Sequence, residues 1–92
     1  MVRHAVHVLV SGRVQGVGFR HATRGAALRC RLAGWVRNRA DGRVEVWAEG
    51  AEEDVEAFVA WLRRGPPTAS VTELAVEPVE PGGRAGFELL RD

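Results

Sequence analysis

Apolar residues recur at every second position through Val6, Val8 and Val10, with His7, Leu9 and Ser11 between them, the pattern of a strand covered on at least one face. The period then changes. From Arg20 to about Cys30 there is no proline, and Ala22, Ala26, Ala27 and Cys30 fall near helical spacing, which predicts a weakly amphipathic helix. The segment AGWVRNRADGRVEVWAEG carries two alternating runs around Asp41-Gly42 and reads as a β-hairpin. Next, Glu52, Glu53 and Asp54 gather where a helix N-terminus favours negative charge, and Val55, Phe58, Val59 and Leu62 follow at i, i+3, i+4 and i+7. Gly65-Pro66-Pro67 ends this second helix. SVTELAVEPVE predicts a further strand, and GFELL adds a short edge piece. The order β-α-β-β-α-β places the chain in the α+β class, as a split β-α-β sandwich with an antiparallel sheet and both helices on one face.

The register of the hairpin follows from the same alternation. A two-residue loop at Asp41-Gly42 would set Arg39 against Val44 and Arg37 against Val46, mixing charge into the apolar side. An odd loop length repairs this by pairing Asn38 with Val44, Val36 with Val46, Arg37 with Glu45 and Trp35 with Trp47. A three- or five-residue loop is therefore expected, with Gly42 left-handed as a bulge. Asn38 then lies at the end of its strand on the helix-covered side.

Topology brings a second segment to that end. In a split β-α-β arrangement the first and third strands are antiparallel neighbours, so the stretch GRVQGVGFR, from Gly12 to Arg20, shares the sheet end with Asn38. A glycine-rich connection from a strand into a helix can turn successive backbone N–H groups inward around an anion. Arg20 adds a planar fork able to bind two phosphate oxygens. Spacing alone leaves two readings, a phosphoryl cradle or a tight connection with a surface arginine. Asn38 alone reads equally as a turn cap. The loop is neither a Walker motif, lacking Gly-Lys-Ser/Thr, nor a dinucleotide fingerprint, which needs a parallel unit and a downstream acid.

Composition narrows the classes. Ninety-two residues fit a single domain, 1–92, with a thin core. A net charge of +1 supplies no field for wrapping nucleic acid or coating an anionic membrane. All thirteen basic side chains are arginine, the better donor for planar oxyanions. One cysteine, Cys30, allows neither an internal disulfide nor a zinc site, and a reducing, cytoplasmic setting is expected. The N-terminal run MVRHAVHVLV lacks a small-residue cleavage site and does not read as a secretory signal, and no stretch is long enough to span a bilayer.

GRVQGVGFR followed downstream by GWVRNRADGRVE resembles the paired signature of acylphosphatases, in order, spacing and chain length, over essentially the whole sequence. The resemblance implies a ferredoxin-like α/β sandwich that hydrolyses acyl phosphates to a carboxylate and inorganic phosphate. It implies that Arg20 is the phosphate-binding arginine, that Asn38 orients the attacking water, and that the cradle is formed by the backbone amides of Gln15, Gly16, Val17, Gly18, Phe19 and Arg20. No cofactor or metal is implied, and a substrate phosphate oxygen is expected to take the water's proton. The partners expected are an acyl phosphate and inorganic phosphate, with no nucleic acid and no membrane, for a monomer. One departure stands out: Cys30-Arg31-Leu32 occupies a place where the family commonly has Leu-Gly-Leu, so a left-handed helix end would cost Arg31 about a kilocalorie more than glycine.

The remaining chemistry-bearing residues have ordinary readings. His21 is expected on a helix surface, His4 and His7 in a strand without a metal-ligating cluster, and Cys30 as a small helix residue. Trp35 and Trp47 are expected on the open sheet face, and Trp61 at the rim of the core. Two other functions fit the element order: a non-catalytic anion sensor, and an RNA-binding module, for which the first strand offers only His7 and Leu9 and the third only Trp47.

Overall fold

The alternating, helical and turn-forming segments become seven elements in a computed structural model that describes residues 2–91. They are β1 (Arg3–Arg13), α1 (Phe19–Arg29), β2 (Ala33–Asn38), β3 (Val44–Ala51), α2 (Glu52–Arg64), β4 (Ser70–Val79) and β5 (Phe87–Leu89). The sheet order is β4-β1-β3-β2-β5. The pairs β1–β3, β1–β4 and β2–β3 are antiparallel, as the sequence order predicts. The edge piece β5 instead runs parallel to β2, pairing Gly34 with Phe87 and Val36 with Leu89, so the sheet is mixed. The chain leaves β4 and crosses the sheet before entering β5, where Gly34 N–H donates to Gly86 O at 2.9 Å and Leu90 N–H to Val36 O at 2.9 Å.

Side-chain period divides the sheet into two faces. Val8, Val10, Val36, Val44 and Val46 are fully buried against Ala26 and Ala27 of α1 and Val55, Phe58 and Leu62 of α2. Phe87 meets Phe58 edge-on at 6.2 Å between centroids, which gives three-residue β5 a hydrophobic anchor. Trp61 is half-buried beside this core, 6.1 Å from Phe19. Among the described residues the opposite face of the sheet has no helix, and it carries Trp35, Trp47, Glu45 and Glu49.

The hairpin adopts the register that alternation requires: Trp35↔Trp47, Val36↔Val46, Arg37↔Glu45 and Asn38↔Val44. Residues 39–43 form the loop, Gly42 has φ 92°, and Arg39 N–H closes the turn on Arg43 O at 2.8 Å. Asp41 accepts hydrogen bonds from Arg43 N at 3.0 Å and Arg43 Nη2 at 2.7 Å, and these hold its carboxyl well below the usual range.

Helix α1 ends with Cys30 N–H on Ala26 O (3.0 Å), Arg31 N–H on Leu28 O (3.1 Å) and Leu32 N–H on Ala27 O (2.9 Å). Arg31 has φ 58° and is the one non-glycine residue with positive φ among the described residues. The left-handed turn thus forms with arginine in it, at the steric cost of a Cβ.

Candidate active site

Between β1 and α1 the chain makes a loop anchored at both ends by buried side chains, Val14 at 1% exposure and Phe19 at 1%. Between those anchors Gly16 has φ 75° and Gly18 has φ 78°. A Cβ at either position would meet no atom within 4 Å, so the glycines are needed for backbone conformation and not for room. Gly18 precedes the first turn of α1, which has no side-chain cap and no acidic residue, whereas α2 opens with Glu52, Glu53 and Asp54. The positive end of the α1 dipole therefore faces no carboxylate of its own first turn.

The loop, the start of α1 and the end of β2 enclose a cavity of about 150 Å³ lined by Val14, Gly16, Gly18, Phe19, Arg20, His21 and Asn38. The antiparallel pairing of β1 with β3 and of β3 with β2 accounts for the meeting of loop and strand end. Arg20 Nη1 donates to Leu90 O at 3.0 Å, and one helical turn on, Arg24 Nε donates to Phe87 O at 3.0 Å, so both ends of β5 are tied to α1. A larger cavity of about 370 Å³ shares Arg20 and His21 with the first and is also lined by Leu89 and Arg91.

Asn38 Oδ1 is buried and has no hydrogen-bond partner among the described residues. Such an acceptor is uncommon in a folded protein and costs roughly 1–3 kcal/mol if nothing satisfies it. Gln15 and Val17 do not line the cavity. The Gln15 side chain turns to the hairpin instead, where Nε2 donates to Arg39 O at 2.7 Å and Arg43 O at 2.9 Å. Val17 packs against the core, and its carbonyl accepts from Thr68 Oγ1 at 2.7 Å.

His21 is exposed, as expected of a helix-surface residue, yet it borders both cavities. Its adjacency to Arg20 was the available signal; nothing in the periodicity marks Val14 as cavity lining or Gln15 as a bond to the hairpin. Cys30 is half-buried, and burial, reinforced by Asp54, pushes its thiol pKa up, away from a reactive thiolate. Among the described residues no group of three or more His, Cys, Asp or Glu side chains could hold a metal ion, and no helix is long and apolar enough to cross a membrane.

The arrangement can bind an anion through backbone N–H groups and a guanidinium, and it offers one uncommitted acceptor beside that anion. The acylphosphatase family model matches residues 6–89. An acylphosphatase of Trichormus variabilis is 56% identical over 86 residues, covering 94% of this chain and 85% of that one. One from Pseudomonas paraeruginosa is 54% identical over 91 residues, covering 99% of this chain and all of that one (100%). The crystal structure of acylphosphatase from Bacillus subtilis superposes with a TM-score of 0.92 at 41% identity, covering 95% of this chain and 98% of that one.

Proposed function

Because the chain belongs to the acylphosphatase family and is an enzyme that hydrolyses acyl phosphates, we propose that Arg20 and the loop amides of Gln15 to Arg20 hold the phosphoryl group while Asn38 orients the attacking water. An acyl phosphate already carries a good carboxylate leaving group, so charge stabilisation and positioning suffice for catalysis. Arg20 would grip two phosphoryl oxygens, and the amide oxygen of Asn38 would accept a hydrogen bond from the water in line with the bond to be broken, whose O–H stays on the new P–OH group. The water oxygen bonds to phosphorus, the bond from phosphorus to the carboxylate oxygen breaks, and a phosphoryl oxygen of the substrate takes the water's other proton. The products are a carboxylate and inorganic phosphate. The acyl group would then extend past Arg20 toward the cavity that Leu89 and Arg91 border.

The observation that carries this reading is the unpartnered Asn38 Oδ1 on a residue that lines the same cavity as Arg20, Gly16 and Gly18. The same reading takes residues 1–92 as one domain, of which Met1 and Asp92 lie outside the described residues, acting as a cytoplasmic monomer without metal, nucleic acid or membrane partner. The positions an RNA-stacking sheet would use are engaged otherwise: the Arg84 guanidinium lies 6.0 Å from the Trp47 ring centre, and His7 Nε2 lies 2.6 Å from Glu45 Oε2.

Purified protein incubated with acetyl phosphate or benzoyl phosphate should release phosphate equally with and without a chelator. Turnover that stops with the chelator removes the metal-free mechanism, and absence of turnover together with tight single-stranded RNA binding favours the binding module. Arg20→Lys keeps the charge but loses the two-point fork, and it should lose both turnover and phosphate inhibition.

A further inference from the structure

The loop that presents Gly16 and Gly18 is tethered from outside by a side chain with no part in the chemistry above. Thr68 Oγ1 donates to Val17 O at 2.7 Å, across 51 residues of sequence. Thr68 lies in the turn between α2 and β4, which is stiffened by Pro66 and Pro67 and closed by Ala69 N–H on Pro66 O at 3.0 Å. The turn abuts the start of α1: a Cβ built on Gly65 would stand 2.8 Å from Phe19 Cε2. Thr68 therefore reaches the loop from a fixed base.

The Val17–Gly18 peptide is trans, so the Val17 carbonyl and the Gly18 N–H point in opposite directions across one plane. Thr68 does not line the cavity, whereas Gly18 does. A hydroxyl that draws the carbonyl away from the cavity consequently turns the N–H toward it. A tether is needed at this peptide because glycine at position 18 lowers the steric barrier to the reversed orientation, in which the carbonyl would meet an anion. We infer that Thr68 is a positioning residue: its hydroxyl fixes the Val17–Gly18 peptide so that the Gly18 N–H stands ready for a phosphoryl oxygen. This rests on reading the cavity as a phosphate cradle.

The test compares Thr68→Val, which keeps the shape without the donor, and Thr68→Ala with Thr68→Ser, which keeps the donor. Three quantities are followed: inhibition of acetyl phosphate hydrolysis by inorganic phosphate, KM against kcat, and the Gly18 amide resonance during phosphate titration. Loss of one net hydrogen bond should raise the phosphate inhibition constant and KM by about two- to tenfold in Thr68→Val and Thr68→Ala, with a smaller change in kcat. Thr68→Ser should restore both to within about twofold. Phosphate should shift the Gly18 amide downfield in wild type and Thr68→Ser, and less in the donor-free variants. Equal inhibition constants and equal Gly18 shifts in wild type and Thr68→Val overturn the inference, as does a loss that serine fails to repair or that merely tracks the melting temperature. If phosphate moves no loop amide in the wild-type enzyme, the cradle itself falls, and the role of Thr68 with it.

Discussion

On the helix-free face of the sheet Glu49 is fully buried and accepts hydrogen bonds from Arg84 N (2.7 Å), Arg3 Nε (3.1 Å) and Gly83 N (3.2 Å), whereas at the cavity end of the same sheet Asn38 Oδ1 is buried with no partner among the described residues. Glu45, one pleat from Trp47, is likewise enclosed, with Arg37 Nε at 2.6 Å, His7 Nε2 at 2.6 Å and Arg39 Nη1 at 3.5 Å. Burial pushes both carboxyls up, but hydrogen bonds outweigh it: those from His7 and Arg37 for Glu45, and those from Arg84, Arg3 and Gly83 for Glu49. Both end below their ordinary value of 4.5. The open face is thus charge fully committed to holding strands and the 80–86 crossing in place, while the cavity end keeps polar capacity in reserve. Within one small sheet, the buried carboxylates of the open face are satisfied by neighbouring donors, and the buried amide oxygen at the cavity end is not.

The largest expected effect separates the two regions directly. Asn38→Ala should lower kcat by two orders of magnitude or more, equivalent to about 3 kcal/mol in the barrier, while phosphate still inhibits at a similar concentration. The comparison breaks if activity and melting temperature fall together, because Asn38 would then serve the hairpin as a cap. On the open face the cost should appear in stability: Glu49→Ala strands three donors and should destabilise the fold by about 2–4 kcal/mol in urea unfolding. The pH dependence has a definite sign. Carboxyls held below their ordinary value of 4.5 contribute stability above that value and lose it as pH falls through their lower folded values, so the wild type should weaken below about pH 4.5 and Glu49→Gln should weaken less steeply. An unchanged acid limb in Glu49→Gln would remove Glu49 as a source of that loss.

A smaller effect probes the boundary between the regions. Gln15 sits in the loop, yet its side-chain Nε2 donates to Arg39 O and Arg43 O, the two carbonyls that flank the turn after Asn38. Gln15→Leu should cost about 1 kcal/mol of stability and reduce kcat about tenfold by releasing Asn38 from the loop. A loss of stability with unchanged kcat would assign Gln15 to the structural class. Smallest of all, Arg31→Gly should stabilise the protein by about 0.5–1 kcal/mol without altering turnover, since the left-handed end of α1 lies outside both regions. A lower melting temperature would mean that Arg31 makes compensating contacts.

What was legible in the sequence was whatever leaves a period or a turn signature. Alternation through Val36, Asn38, Val44 and Val46 set the hairpin register, and that register with the strand order carried Asn38 to the glycine-rich loop. The acids of Glu52 to Asp54 and the Gly65-Pro66-Pro67 stop bounded α2. The parallel course of β5 was not legible, because three residues carry too little pattern to fix a direction and the deciding bonds, such as Gly34 N–H to Gly86 O, are backbone to backbone. The same holds for Gln15 on the hairpin, Glu49 on the crossing and Thr68 on Val17, each a single side chain meeting backbone 24 to 51 residues away. Such bonds obey no periodicity and appear only when the fold is assembled.

The strand order has one more outcome, which concerns how copies of the protein treat one another in a crowded solution. It leaves β4 at the margin of the sheet, ten residues long, with Val76 39% exposed. An open margin of that length is a template on which a second chain can align and begin to aggregate. Pro78 removes one of its donors, and Glu73 and Glu77, both exposed, would bring like charges together whenever two such margins approached. Replacing those three residues by threonine or valine would leave the cavity untouched and still shorten the time the protein stays clear at high concentration.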